Sequence, residues 1–195
     1  MRKSEIIKRK TKETDIVCQI NLDGTGICNT NTGIGFFDHM INTLSKHSFM
    51  DIDITCKGDL NVDDHHSVED CGIALGMAFK DALKSKDGIN RYASFTMAMD
   101  DALVLCAIDL CGRNYYEAND TFNVTKCGDF EVETTDEFFR SFADNAMINL
   151  HFDVIRGKNA HHIIEAMFKS FARCLREALE INPKLKGSLT TKGVI

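Results

Sequence analysis

Two stretches of this chain carry the same arrangement ninety-six positions apart: DDHHSVED, from Asp63 to Asp70, and NAHHIIEA, from Asn159 to Ala166. In each, adjacent histidines are followed after two residues by a glutamate, and an amphipathic run continues from there. Val68, Cys71, Leu75, Ala78, Phe79 and Ala82 form a helical stripe in the first, and Ile164, Met167, Phe168, Phe171, Leu175 and Ala178 form one in the second. Laying one doublet on the other also brings FFDHMINTL beside EFFRSF, with a two-residue loop difference. The pattern reads as one domain built by internal duplication, with halves of about 1–88 and 89–195.

The segments between the stripes fit that plan. DIVCQINLDG (15–24) alternates, with Ile16, Cys18, Ile20 and Leu22 on one side, as a half-buried strand does. After a Gly/Asn/Thr-rich turn, GFFDHMINTLSKHS reads as a helix with Phe36, Met40, Ile41 and Leu44 inward, and MDIDITC as a strand. Asp63 or Asp64 offers an N-cap for a helix running to about Ser85, and Asp87-Gly88 closes the half. YASFTMAM and ALVLCAIDL then give two strands joined at Asp100-Asp101. TTDEFFRSFADNAM gives a helix, and MINLHFDVIRG a strand with Asn149, His151 and Asp153 on its polar side. Asn159 caps the last helix. Interleaved strands and amphipathic helices predict an α+β fold with helices on one face of each sheet.

Composition narrows the function. A net charge of -6 and a pI near 5.6 leave no global positive field for a phosphate backbone, which argues against nucleic acid. No window approaches the ~20 apolar residues of a membrane span, and MRKSEIIKRKTKETD lacks the apolar core of a secretory signal. The eight cysteines form no C-x-x-C pair and several sit in apolar runs, so they read as reduced core residues of a soluble cytoplasmic protein.

The doublets point to metal. A single HH-x-x-E is most simply a pair of surface histidines in a helix's first turn. Two copies, each following a strand and loop, favour ligands. Successive helical residues diverge by about 100°, so adjacent histidines address two different ions, while the glutamate shares a face with both. Imidazole and carboxylate without thiolate suit Mn, Fe, Co, Ni or Zn rather than Mg or Ca. A mixed nitrogen–oxygen set larger than four favours an octahedral ion such as Mn²⁺ over tetrahedral Zn²⁺. Neither copy is the H-E-x-x-H of zinc proteases.

GFFDHM, DDHHSVEDCGIALG, GKNAHHIIEAMFKSFARCLREAL and the closing TTKGVI, in this order, resemble imidazoleglycerol-phosphate dehydratase from about Arg9 onward. The resemblance implies a fold of two similar halves, each a roughly four-stranded sheet backed by two helices (ribosomal protein S5 domain 2-like). It also implies dehydration of imidazole glycerol phosphate to imidazole acetol phosphate in histidine biosynthesis. Two Mn²⁺ ions would serve each site of a 24-subunit homo-oligomer, with sites between subunits. Carried over by position, the metal ligands are His39, His65, His66, Glu69, His161, His162 and Glu165. Glu137 stands where other members carry histidine and is kept as a ligand. Glu13, in RKTKETD, matches a glutamate near the reacting carbons, with Glu69 and Glu165 as further catalytic carboxylates. Arg91, Arg113, Lys169, Thr190 and Lys192 fall at substrate-phosphate positions, and His39, His65, His66 and His161 also face substrate. Thr43 stands where many members have glutamine. His47 and His151 carry no such role.

The implied chemistry needs an electron source, because the departing hydrogen is not acidified by a carbonyl. Metal Lewis acidity can strip the ring N–H and hold an imidazolate. The ring then expels the adjacent hydroxyl to give a diazafulvene-like intermediate, and a carboxylate moves the protons. Rival readings are a metal-storage or metal-sensing protein, which leaves the basic residues unexplained, and a dinuclear metal hydrolase. A ferritin-like bundle would need four long helices with E-x-x-H order.

Overall fold

The computed structural model of the chain describes residues 1–119 and 122–192. Its elements run β1 (Ile7–Lys10), β2 (Thr14–Asn21), β3 (Cys28–Asn31), α1 (Gly35–Ser48), β4 (Asp51–Gly58) and α2 (His65–Leu83) in the first half. The second half holds β5 (Tyr92–Met99), β6 (Ala102–Asp109), β7 (Tyr115–Ala118), β8 (Lys126–Cys127), β9 (Phe130–Glu131), α3 (Thr134–Ala146), β10 (Asn149–Arg156) and α4 (Ala160–Ala178). One sheet is ordered β1-β2-β4-β3 and the other β5-β6-β10-β7, and β8-β9 is a small hairpin. In both large sheets three strands are antiparallel and the last is parallel, β3 to β4 and β7 to β10.

Alternation sets which face of each sheet is buried. Ile16, Cys18 and Ile20 of β2 point inward with Ile52, Ile54 and Cys56 of β4, while Val17, Asp53 and Thr55 stay outside. In the second sheet Val104, Cys106, Ile108, Leu150 and Phe152 do the same. The inner faces meet the apolar stripes of the helices: α2 packs on β2, and α4 on β5 and β6. Helices also pair across the halves, α2 along α3 and α1 along α4, so one core joins both. The α2–α3 pair packs closely because Gly72 and Gly76 present no side chain. A Cβ on Gly72 would lie 2.7 Å from the Phe138 carbonyl oxygen, and one on Gly76 2.6 Å from that of Phe142.

The short strands β1, β3 and β7 were not expected from the sequence. β3 (CNTN) and β7 (YYEA) are four-residue edge strands whose residues are half-buried at best; Cys28, Tyr116 and Ala118 pack against the core, but two residues per face are too few to show a period in the sequence. β1 (IKRK) reads as a basic tail, yet it is held. Arg9 donates to the buried carboxylate of Asp70 on α2, which also accepts from the Thr14 hydroxyl. The cap of α2 departs from expectation too. Asp64 occupies the cap position but turns its carboxylate away to accept from Glu131 N–H at 2.8 Å, while Asp63 accepts from His65 N–H at 3.0 Å. Asn159 caps α4 as expected, accepting from His162 N–H at 3.3 Å.

Candidate active site

Helices α1 and α4 place three candidate ligands together. His39 comes from α1; His161 and Glu165 lie one turn apart on α4. Glu165 Oε2 is 3.2 Å from His161 Nε2 and 3.8 Å from His39 Nε2, and one ligand atom from each residue lies within 4.8 Å of the others. The other carboxylate oxygen, Oε1, is 2.6 Å from Lys169 Nζ. Lys169 thus occupies one oxygen and leaves the second facing the imidazoles. Glu165 is buried, and burial raises its pKa, but Lys169, His39 and His161 outweigh that and hold it below the usual glutamate range. The edge of Phe36 packs on the His161 ring at 5.0 Å. His39 is exposed rather than a core histidine. Two imidazoles with a carboxylate form a donor set that fits a borderline divalent cation.

The first doublet faces a different neighbourhood. His66 turns Nδ1 to both oxygens of Asp59, at 3.2 and 3.1 Å, while Nε2 lies 3.9 Å from Glu13 Oε1. The Asp59 hydrogen bond raises the His66 pKa. His65 lies beside it, ring centroids 6.2 Å apart. In the second doublet, His162 Nδ1 meets Asp101 Oδ1 at 2.7 Å and Nε2 lies 3.5 Å from Asp100 Oδ2. His162 and the backbone N–H groups of Lys158 and Asn159 hold the Asp101 carboxyl far below its usual range. Among the described residues, His65, Glu69 and Glu137 are not gathered as closely as His39, His161 and Glu165.

The candidate phosphate residues gather separately. Arg91, Arg113, Thr190 and Lys192 line a cavity of about 500 Å³ together with Tyr92 and Cys111. Arg91 adopts a left-handed backbone (φ 76°), and its guanidinium is committed within the chain. Nε and Nη2 donate to Asp109 at 2.8 and 2.9 Å, and Nη1 to the Leu189 carbonyl at 2.7 Å. It therefore ties the C-terminal segment against the end of the second sheet. The side chains of Arg113 and Lys192 donate to no group among the described residues. Lys169 stands apart from this cavity, on Glu165 and 3.5 Å from Met99 Sδ. Thr43 is buried in α1. His151 stacks on Tyr115 at 5.3 Å.

Asp59, Asp100 and Asp101 were not singled out from the sequence as site residues. Nothing in their spacing marks them, although GDL and MDDAL each put an acid at the mouth of a turn. Among the described residues, no helix is long and apolar enough to cross a membrane.

Comparison with known proteins adds a second line. The family model for imidazoleglycerol-phosphate dehydratase matches residues 32–175. Proteins of that name from Cereibacter sphaeroides and Lachnoclostridium phytofermentans are each 52% identical, over 100% of both chains. The Aliarcobacter butzleri protein is 54% identical, covering 97% of this chain and 98% of its own. Among solved structures, imidazoleglycerol-phosphate dehydratase from Staphylococcus aureus superposes with a TM-score of 0.82 at 35% identity, covering 91% of this chain and 100% of that one. A Pyrococcus furiosus structure, in complex with (S)-C348, gives 0.83 at 33%, covering 97% and 100%.

Proposed function

The chain belongs to the imidazoleglycerol-phosphate dehydratase family, lyases of histidine biosynthesis, and from that premise we propose that it converts D-erythro-imidazole glycerol phosphate to imidazole acetol phosphate at a dimanganese site. The observation that carries the reading is Glu165 Oε2, an ionised oxygen flanked by the His39 and His161 imidazoles while Lys169 secures its partner oxygen.

His39, His65, His66, Glu69, His161, His162 and Glu165 would hold two Mn²⁺ ions, with Glu137 as a further carboxylate ligand. When bound, the ions would supply the Lewis acidity that acidifies the ring N–H and stabilises the charge left on the ring as the neighbouring hydroxyl departs. Glu13 protonates that leaving oxygen and receives the proton from the next carbon. Its support is its place beside a ligand imidazole, 3.9 Å from His66 Nε2. Glu69 and Glu165 assist as ligands. Arg113, Lys192 and Thr190 take the phosphate, since neither cationic side chain has a partner among the described residues and both share one cavity. Arg91 forms the wall and fixes the segment that carries Thr190 and Lys192. Holding the remote phosphate keeps the reacting carbons in place.

The same reading takes the two halves as copies of one unit, supported by their matching strand order. It completes each site between copies of the chain in a 24-subunit assembly. The separation of the first doublet from the His39–His161–Glu165 group supports this arrangement. Eight unpaired cysteines, six of them buried, support a reducing, cytoplasmic setting.

The test is turnover by a thoroughly chelated sample, read as ketone formed from imidazole glycerol phosphate. No product without metal, and recovery on adding Mn²⁺, is the expected result. Undiminished turnover in a metal-free sample would overturn the reading.

A further inference from the structure

The second histidine of each doublet makes a contact that the first lacks. His66 Nδ1 meets Asp59, and His162 Nδ1 meets Asp101 at 2.7 Å. Neither His65 nor His161 has a carboxylate on Nδ1 among the described residues. The two aspartates reach equivalent rings from inequivalent places. Asp59 directly follows β4, whereas Asp101 lies in the turn between β5 and β6. The counterpart of that turn in the first half, between β1 and β2, carries Glu13, which faces the other nitrogen of His66. The contact is thus not a passive result of repeated sequence: each half supplies it by its own route.

An ionised carboxylate only accepts hydrogen bonds, so a neutral imidazole beside it must carry its single proton on Nδ1. That leaves the Nε2 lone pair free, and the ring cannot flip without losing the bond. We infer that Asp59 and Asp101 are positioning residues, each locking its histidine as the Nδ1–H tautomer with Nε2 directed at a divalent cation. Asp101 is itself fixed, accepting from the N–H groups of Lys158 and Asn159 at 2.7 and 3.1 Å, so the His162 ring is set from a rigid point. The inference rests on the dimetal reading above and extends it to residues that touch no metal.

The experiment is Mn²⁺ affinity of the full chain, measured by competition with a fluorescent chelator, for wild type and the variants D59A, D59N, D101A and D101N. Outer-shell partners of ligating histidines typically change metal affinity by about 10–100-fold, and a loss in that range is expected for both alanine variants. Asparagine keeps an oxygen that accepts from Nδ1–H, so D59N should recover most of the lost affinity, whereas D101N should recover less, because its amide nitrogen would face the Lys158 and Asn159 N–H groups that Oδ2 now serves. Melting of the metal-free variants separates ring orientation from simple loop damage. Wild-type affinity in D59A and D101A would overturn the positioning role while leaving the metal reading intact. Equal losses in D59A and D59N, in step with lower metal-free melting, would also overturn it. A wild-type protein that takes up no Mn²⁺ would instead remove the metal reading, and this inference with it.

Discussion

Single carboxylates in this chain hold very different jobs according to what surrounds them. Glu13 is half-exposed beside His66 and, among the described residues, has no ion pair shorter than 3.9 Å. Glu13→Gln is therefore expected to lower kcat by about 10²–10⁴ while bound manganese stays unchanged; unaltered kcat would remove it from the proton-transfer role. Asp51 is the opposite case. Its Oδ1 accepts from the N–H groups of Thr25 and Ile27 at 2.8 and 3.0 Å, and Oδ2 from the Asn21 amide at 3.2 Å, so the 24–27 turn wraps around it. Burial raises its pKa, but the backbone N–H donors Ile27 and Thr25, with Asn21, prevail and leave it lowered. A depressed aspartate favours the fold above its unfolded value near ~3.9 and loses that contribution as pH falls through the folded value. Asp51→Asn should therefore reduce stability at pH 7 and flatten the loss of stability on acidification below about pH 4, measured by urea unfolding across pH. An unchanged acid limb would show that other carboxylates carry it.

At the scale of elements, the α2–α3 contact depends on two missing side chains. Alanine has a better helix propensity than glycine by about 1 kcal/mol, so Gly76→Ala would stabilise an isolated helix. Here its Cβ would meet the Phe142 carbonyl at 2.6 Å, and overpacking of this kind costs about 1–3 kcal/mol. A net fall in denaturation midpoint is expected for Gly76→Ala, with no such fall for Gly35→Ala, where nothing lies within 4 Å of the added atom. A midpoint that rises for Gly76→Ala would mean the helices can slide apart without cost. The long elements were legible in the sequence because their burial is periodic. The expected helix GFFDHMINTLSKHS and strand YASFTMAM coincide with α1 and β5. The four-residue strands were not, since two residues per face are too few to show a period. The same contrast governs the site. HH-x-x-E announces itself locally, whereas Asp59 and Asp101 meet their histidines only after folding. The commitment of Arg91 to Asp109 likewise depends on a contact eighteen residues away that no spacing rule encodes.

For the whole molecule, the question is how many chains make one site. A single chain gathers His39, His161 and Glu165 but leaves the His65-His66 doublet with Asp59 and Glu13 elsewhere. If cations join the two groups across subunits, light scattering should report a particle much heavier than the 21.9 kDa chain, and thorough chelation should lower its mass. An assembly of constant mass with and without metal would show that protein contacts alone hold it. On the proposed reading, the net charge of -6 does not oppose a phosphate-bearing substrate, because Arg113 and Lys192 line one cavity where their local charge counts for more than the total.

The anchoring of Leu189 by Arg91 has a further effect. The segment bearing Thr190 and Lys192 hangs from the end of the second sheet, whereas the proposed cation ligands are carried by helices α1, α2, α3 and α4. The two are not separate foundations, because Arg91 N–H donates to the carbonyl of Ala178 at the end of α4, at 2.8 Å. A substitution that shifts Arg91 is therefore expected to reach both the tail and the head of a bound ligand.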